Sequence, residues 1–169
     1  MILGEKNNFT NSNFFTAEEL AVGTDFLRDG YKIFPASDLR ALDRLRIEIV
    51  KSAAEFLRQD APSDHVDFLN SIHLSIDKTE INALRLFVFE KLNALSWVRE
   101  AYWLCANELL NAIVGNELVM QRKVNLSIQM PEDQSSVLPV HADTWSGDSP
   151  FEVVLWIPFV EVNKTKSMF

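Results

Sequence analysis

His141 and Asp143 are the residues whose types and spacing offer chemistry most directly. They stand two apart, so in an extended segment both side chains leave the backbone on the same side. An imidazole nitrogen and a carboxylate oxygen presented together make two of the three ligands of a 2-His-1-carboxylate triad. That triad leaves adjacent positions open on a non-haem Fe(II) ion, the arrangement oxygen activation needs. A bare His-x-Asp is common, and its meaning depends on the elements around it.

Those elements are distinctive. Val124, Leu126, Ile128 and Met130 alternate with Asn125, Ser127 and Gln129, the period-two pattern of a strand with one apolar and one polar face. Polar side chains lining a pocket would produce that face, and so would plain solvent exposure. A polar turn from Pro131 follows, then the segment carrying His141 and Asp143, then a Gly/Ser/Pro loop through Pro150. Phe151 to Val160 reads as a second, strongly apolar strand.

The words Asn125-Leu-Ser-Ile-Gln-Met-Pro-Glu-Asp133, Leu138-Pro-Val-His-Ala-Asp-Thr-Trp-Ser-Gly-Asp-Ser-Pro-Phe-Glu152, Trp156-Ile-Pro and Thr165-Lys-Ser-Met168 resemble the phytanoyl-CoA dioxygenase-like branch of the Fe(II)/2-oxoglutarate oxygenases. More narrowly, they are similar to oxygenases found sporadically in bacterial surface-carbohydrate gene clusters. Phe26-Leu-Arg-Asp-Gly-Tyr-Lys-Ile-Phe-Pro35 looks like that family's N-terminal entry, and Gly115-Asn-Glu-Leu-Val-Met-Gln121 matches the narrower group.

The resemblance implies an oxidoreductase that uses Fe(II) as cofactor and 2-oxoglutarate as cosubstrate. Its substrate would be a sugar or other small metabolite of surface-carbohydrate biosynthesis. On that reading His141 and Asp143 hold the metal, while Asn125, Gln129 and Trp156 bind or line the 2-oxoglutarate site. Trp145 and Asp148, in the loop after the metal pair, would face the primary substrate, although Asx and Ser turns explain that loop as well. The chain departs from the family pattern in one respect: no histidine follows His141. The family's distal histidine, and the basic residue that pairs with 2-oxoglutarate, lie further downstream. The resemblance therefore implies one oxygenase domain over residues 1–169, incomplete at its C-terminus and inactive in isolation. The rival reading is a non-catalytic jelly-roll-like domain that binds a small molecule or a partner chain. A third is that a separate chain or a second copy completes it, by self-association through an unfinished sheet edge.

Composition narrows the classes. Of 169 residues, 47% are hydrophobic and 24% charged, ordinary for a globular chain long enough to bury a core. With 16 basic against 24 acidic residues the net charge is −8, which argues against nucleic acid and anionic membranes as partners. The apolar run from Val153 to Val160 is too short to span a bilayer. The N-terminus lacks a basic stretch followed by an apolar core, and the reading is cytoplasmic. The single Cys105 excludes a disulfide framework and reads as a small buried hydrophobe.

The first 116 residues must position the motif, and they read as mainly helical. Residues 1–16 read as an arm or short strand. A helix begins near Thr16 and stops at Gly30, and Tyr31 to Phe34 reads as a short strand before Pro35. Ser37 or Asp38 caps a helix to about Gln59, with Leu42, Leu45, Ile49, Ala53 and Phe56 on one face. Asp60 to Asp64 is a break, and Val66 to Ile76 is ambiguous between loop and short helix. Asp77-Lys-Thr-Glu80 resembles a capping box for a helix to about Leu92. Ser96 opens another helix, from Trp97 to Val114, that Gly115 stops. A helical run giving way to period-two strands at about residue 117 predicts an α+β fold, N-terminal helices packed on a partial double-stranded β-helix, or jelly roll. A second His-x-Asp, His65-Val66-Asp67, lacks a preceding strand and reads as a solvated loop. His73 reads as a partly buried, hydrogen-bonded side chain.

Overall fold

The computed structural model describes residues 14–132 and 139–164. Six α-helices are present among them: α1 (Ala17–Asp29), α2 (Leu39–Phe56), α3 (His65–Ser71), α4 (Ile81–Asn93), α5 (Val98–Leu104) and α6 (Asn107–Ile113), with 3-10 turns at Ile72–Leu74 and Asp143–Ser146. Two compact units contain them. One comprises the described part of Met1–Pro35 with Asn107–Leu118, and the other Ala36–Ala106 with Val119–Phe169. None of the described helices is long and apolar enough to cross a membrane.

In the smaller unit α1 packs on α6. Thr16 caps α1 as its sequence predicts: its hydroxyl accepts from the Glu19 N–H, and the Glu19 carboxylate accepts from the Thr16 N–H. Gly30, at φ 77°, closes the helix in the left-handed conformation. Tyr31 to Phe34, expected as a strand, is irregular. It has no neighbouring backbone to pair with among the described residues.

The larger unit is built on α2, which packs against α3, α4 and α5. Asp38 caps it, accepting from the N–H groups of Arg40 and Ala41. Ala41, Leu45, Ile49 and Ala53 recur at helical spacing and are buried. Ile81, Leu84, Val88 and Leu92 give α4 the matching stripe, and Val50, Leu84, Val88 and Val98 are the largest fully buried side chains. Arg58, at φ 56°, ends α2 without a glycine, and the Gln59 N–H closes back on the Ala54 carbonyl. The predicted box at Asp77 does not form. The Asp77 carboxylate instead accepts from the backbone N–H and hydroxyl of Thr79, and α4 starts at Ile81 with no side-chain cap. The single helix expected from Trp97 to Val114 is broken at Cys105 and Ala106 into α5 and α6, which fall in different units.

The largest correction concerns residues 117–169. No β-strand, and hence no jelly roll or double-stranded β-helix, exists among the described residues. The fold of the described residues is helical, not α+β, and residues 117–169 are irregular where described, apart from the 3-10 turn at Asp143–Ser146. The period-two pattern is nevertheless visible in burial. Val124, Leu126 and Ile128 are half-buried, Met130 is buried, and Asn125, Ser127 and Gln129 are exposed. The same alternation runs from Val153 to Ile157. These segments lay one row of side chains on the helical core, where Val124, Leu126, Ile128, Ile157 and Phe159 pack. Their backbones are held by helix side chains instead of a ladder. Arg85 donates to the Ile128 carbonyl, Tyr102 to Leu155, Arg46 to Phe159, and Asn93 bonds both backbone groups of Val124. A strand requires a hydrogen-bonded neighbour as well as alternation, and that neighbour is missing from the described residues.

Candidate metal site

The structure brings His141 and Asp143 together. His141 Nε2 stands 3.4 Å from Asp143 Oδ1, and both side chains are about half exposed. Ala142 between them is extended, at φ −120° and ψ 136°, which puts its neighbours on one side as the spacing predicts. Asp143 opens a 3-10 turn through Ser146. Gly147 ends it at φ 100°, a left-handed conformation that favours glycine. The Trp145 N–H bonds the Ala142 carbonyl and the Asp148 N–H reaches the Asp143 carbonyl, so the loop is closed on the segment that carries the His141–Asp143 pair.

The tautomer of His141 follows from its other nitrogen. Nδ1 lies 2.7 Å from the Pro139 carbonyl oxygen. A carbonyl only accepts, so Nδ1 carries the proton and donates it. In the neutral ring Nε2 then holds a lone pair facing a carboxylate oxygen. Two acceptors facing each other at this separation call for a proton or a cation between them. Donors about 2.1 Å from a shared metal are about 3.0 Å apart at a right angle, and the observed 3.4 Å corresponds to an angle of about 108°, close to tetrahedral. The Pro139 carbonyl plays the part of a group that fixes ring orientation behind a metal-ligating histidine. No side-chain pattern could have announced it.

The remaining predicted residues lie on exposed positions. Asn125 and Gln129 share the outward face of the 124–130 segment, and Gln129 Nε2 donates to Ser127 Oγ at 2.8 Å. Trp156 is 43% exposed on the outward row of the second segment. Trp145 is 75% exposed, and Asp148 is exposed beside it in the same turn. Asn125 and Trp156 make no polar contact with His141 or Asp143 among the described residues. Val137, Leu138 and Thr165 to Phe169, including the expected start of a further strand, lie outside the described residues.

No group of three or more His, Cys, Asp or Glu side chains placed to hold a metal occurs among the described residues. His65, expected in a loop, is the first residue of α3, which Asp64 caps through the Asp67 N–H. His73 is half-buried in the 3-10 turn after α3, with no hydrogen bond to its ring among the described residues. Two shallow open clefts run along α2 instead, one of about 440 Å³ beside His65 and one of about 420 Å³ beside Trp97. Neither includes His141 or Asp143 in its lining. Cys105 is buried, its thiol is pushed up to about 11 by burial and then by Asp38, and it donates to the Ala101 carbonyl. It is a packing residue. Comparison with known proteins returns no matching family model, no matching curated protein and no matching solved structure.

Proposed function

We propose that His141 and Asp143 hold a divalent metal, and that this chain is an Fe(II)- and 2-oxoglutarate-dependent oxygenase in its chemistry. The observation that carries the proposal is the convergence of His141 Nε2 and Asp143 Oδ1 at 3.4 Å, with the ring set by Pro139. The sequence words around the pair supply the choice of iron and 2-oxoglutarate over other metals and cosubstrates. Bound iron would supply oxygen activation, coupled to decarboxylation of 2-oxoglutarate and hydroxylation of a sugar or similar small metabolite. In this reading Gln129, Asn125 and Trp156 contact the cosubstrate, and Trp145 and Asp148 contact the substrate. The chain works in the cytoplasm, where its buried Cys105 stays reduced.

The donor set fits two positions of such an iron and leaves the third protein ligand unassigned, so no oxygenation step is derived from these residues alone. That shortfall favours a second reading, metal binding without turnover by this chain. Co(II) titration followed by its visible absorption tests the shared premise. Binding should be saturable and at least tenfold weaker in both His141→Ala and Asp143→Ala. Equal binding by the wild type and both variants would show that His141 and Asp143 are not the metal site.

A further inference from the structure

We propose that residues 152–156 form a pairing edge through which two copies of this chain join, antiparallel and centred on Val154. The segment is laid against its own helices on one side only. Val153, Leu155 and Ile157 face inward, and the Leu155 carbonyl is taken by the Tyr102 hydroxyl. Backbone groups of successive residues in an extended segment point to opposite edges. The even-numbered residues therefore present theirs on the edge away from that of Leu155. There the N–H and C=O of both Val154 and Trp156 have no partner among the described residues. Unpaired backbone groups along an extended, largely apolar segment are a template for another strand.

The sequence indicates which strand. Read outward from Val154, residue types mirror each other: Val153 with Leu155, Phe151 with Ile157, and Pro150 with Pro158. Two copies related by a two-fold axis through Val154 would place exactly these residues opposite one another, as an isologous interface requires. Glu152, the one charged residue in the stretch, meets Trp156 of the second copy, so no like charges face each other. The prolines, which have no N–H, fall just beyond the pairing residues at both ends. The Val154 N–H groups would bond each other's carbonyls, and each Trp156 N–H would bond a Glu152 carbonyl, while the Glu152 N–H stays on the Ser149 carbonyl of its own chain. Val154, 64% exposed in the single chain, would be covered.

Sedimentation velocity across a wide concentration range tests this on the full chain, with amide hydrogen exchange read at both extremes. The wild type should dimerise as concentration rises, with the Val154 and Trp156 amides becoming protected as it does. Val154→Pro removes the central donor and Val154→Lys puts charge against charge. Both should stay monomeric with unchanged helix content, while Leu86→Lys, on the exposed side of α4, should dimerise like the wild type. A wild type that remains monomeric throughout overturns the proposal. So does a dimer that persists in both Val154 variants.

Discussion

The Asn93 carboxamide clamps the backbone of Val124 from both sides. Its oxygen accepts the Val124 N–H at 2.8 Å, and its nitrogen donates to the Val124 carbonyl at 3.0 Å and to Phe89 at 2.8 Å. A side chain at the end of α4 thus mimics the strand neighbour that residues 124–130 lack among the described residues. Asn93→Leu should destabilise the larger unit by about 2 kcal/mol, because half-buried backbone groups lose their partners. Asn93→Asp should be worse at neutral pH, since a carboxylate would face two carbonyls, and should recover in part as pH falls. Urea unfolding at two pH values checks both, and equal stability of Asn93→Asp and wild type at neutral pH would remove the clamp.

Tyr102 links α5 to the second segment through the Leu155 carbonyl, and burial, followed by Cys105, pushes its hydroxyl up to about 12. A folded-state value above the unfolded one means that the neutral form is favoured by folding. That stability is complete below the ordinary tyrosine value of about 10 and is lost as pH rises towards about 12. An ultraviolet titration should show a tyrosinate phase near pH 12 accompanied by loss of structure. Tyr102→Phe should abolish that late phase, and its persistence in the variant would assign it elsewhere.

Core packing predicts a contrast along α4. Leu84 is fully buried and Leu86 is 53% exposed. Leu84→Ala should cost about 2–5 kcal/mol through lost contacts and a residual cavity. Leu86→Ala should change stability by less than about 0.5 kcal/mol. Thermal unfolding of the two variants side by side decides it, and similar melting temperatures would mean that α4 is turned differently.

In the smaller unit, Thr16→Ala should remove about 1 kcal/mol from α1 by deleting the cap. The Thr16 N–H, followed by its hydroxyl, holds the Glu19 carboxyl below its usual range, so the carboxylate's own bond is present at neutral pH and is lost as pH falls through that lowered value, whereas the hydroxyl cap on the Glu19 N–H does not titrate. Protection of the Glu19 amide against exchange should fall in Thr16→Ala at both neutral and acid pH, while protection of the Thr16 amide in the wild type should fall in acid alone. A Thr16 amide equally protected at both pH values would leave the carboxylate without a role.

Much of the helical half was legible because its signals are local. Thr16 and Asp38 announce their own caps, and the stripe from Leu45 to Ala53 announces the buried face of α2. Where a cap had competition, legibility failed: Asp77 satisfies Thr79 instead of opening α4. The alternation in residues 124–130 correctly predicts which side chains face the core, whereas residues 153–157 are apolar throughout and carry no such signal. It says nothing about what the backbone bonds to, and here Arg46, Arg85, Asn93 and Tyr102 take that part from more than 30 residues away. Long polar side chains at the margin of an apolar stripe look like solvated residues in sequence, which is why the strands and jelly roll were expected. The His141–Asp143 pair was readable because a two-residue spacing in extended backbone is local geometry. The Pro139 carbonyl behind it is a main-chain group and leaves no trace in residue types.

The central claim, that His141 and Asp143 form the protein's part of an Fe(II) and 2-oxoglutarate site, is tested most directly by anaerobic titration of the chain with both ligands. Chelation of bound Fe(II) by 2-oxoglutarate produces a visible metal-to-ligand charge-transfer band. The account predicts a weak, saturable band that is lost in His141→Ala, whose helix content should match wild type. A folded wild-type chain giving no band, or a band of equal strength in His141→Ala, would contradict it.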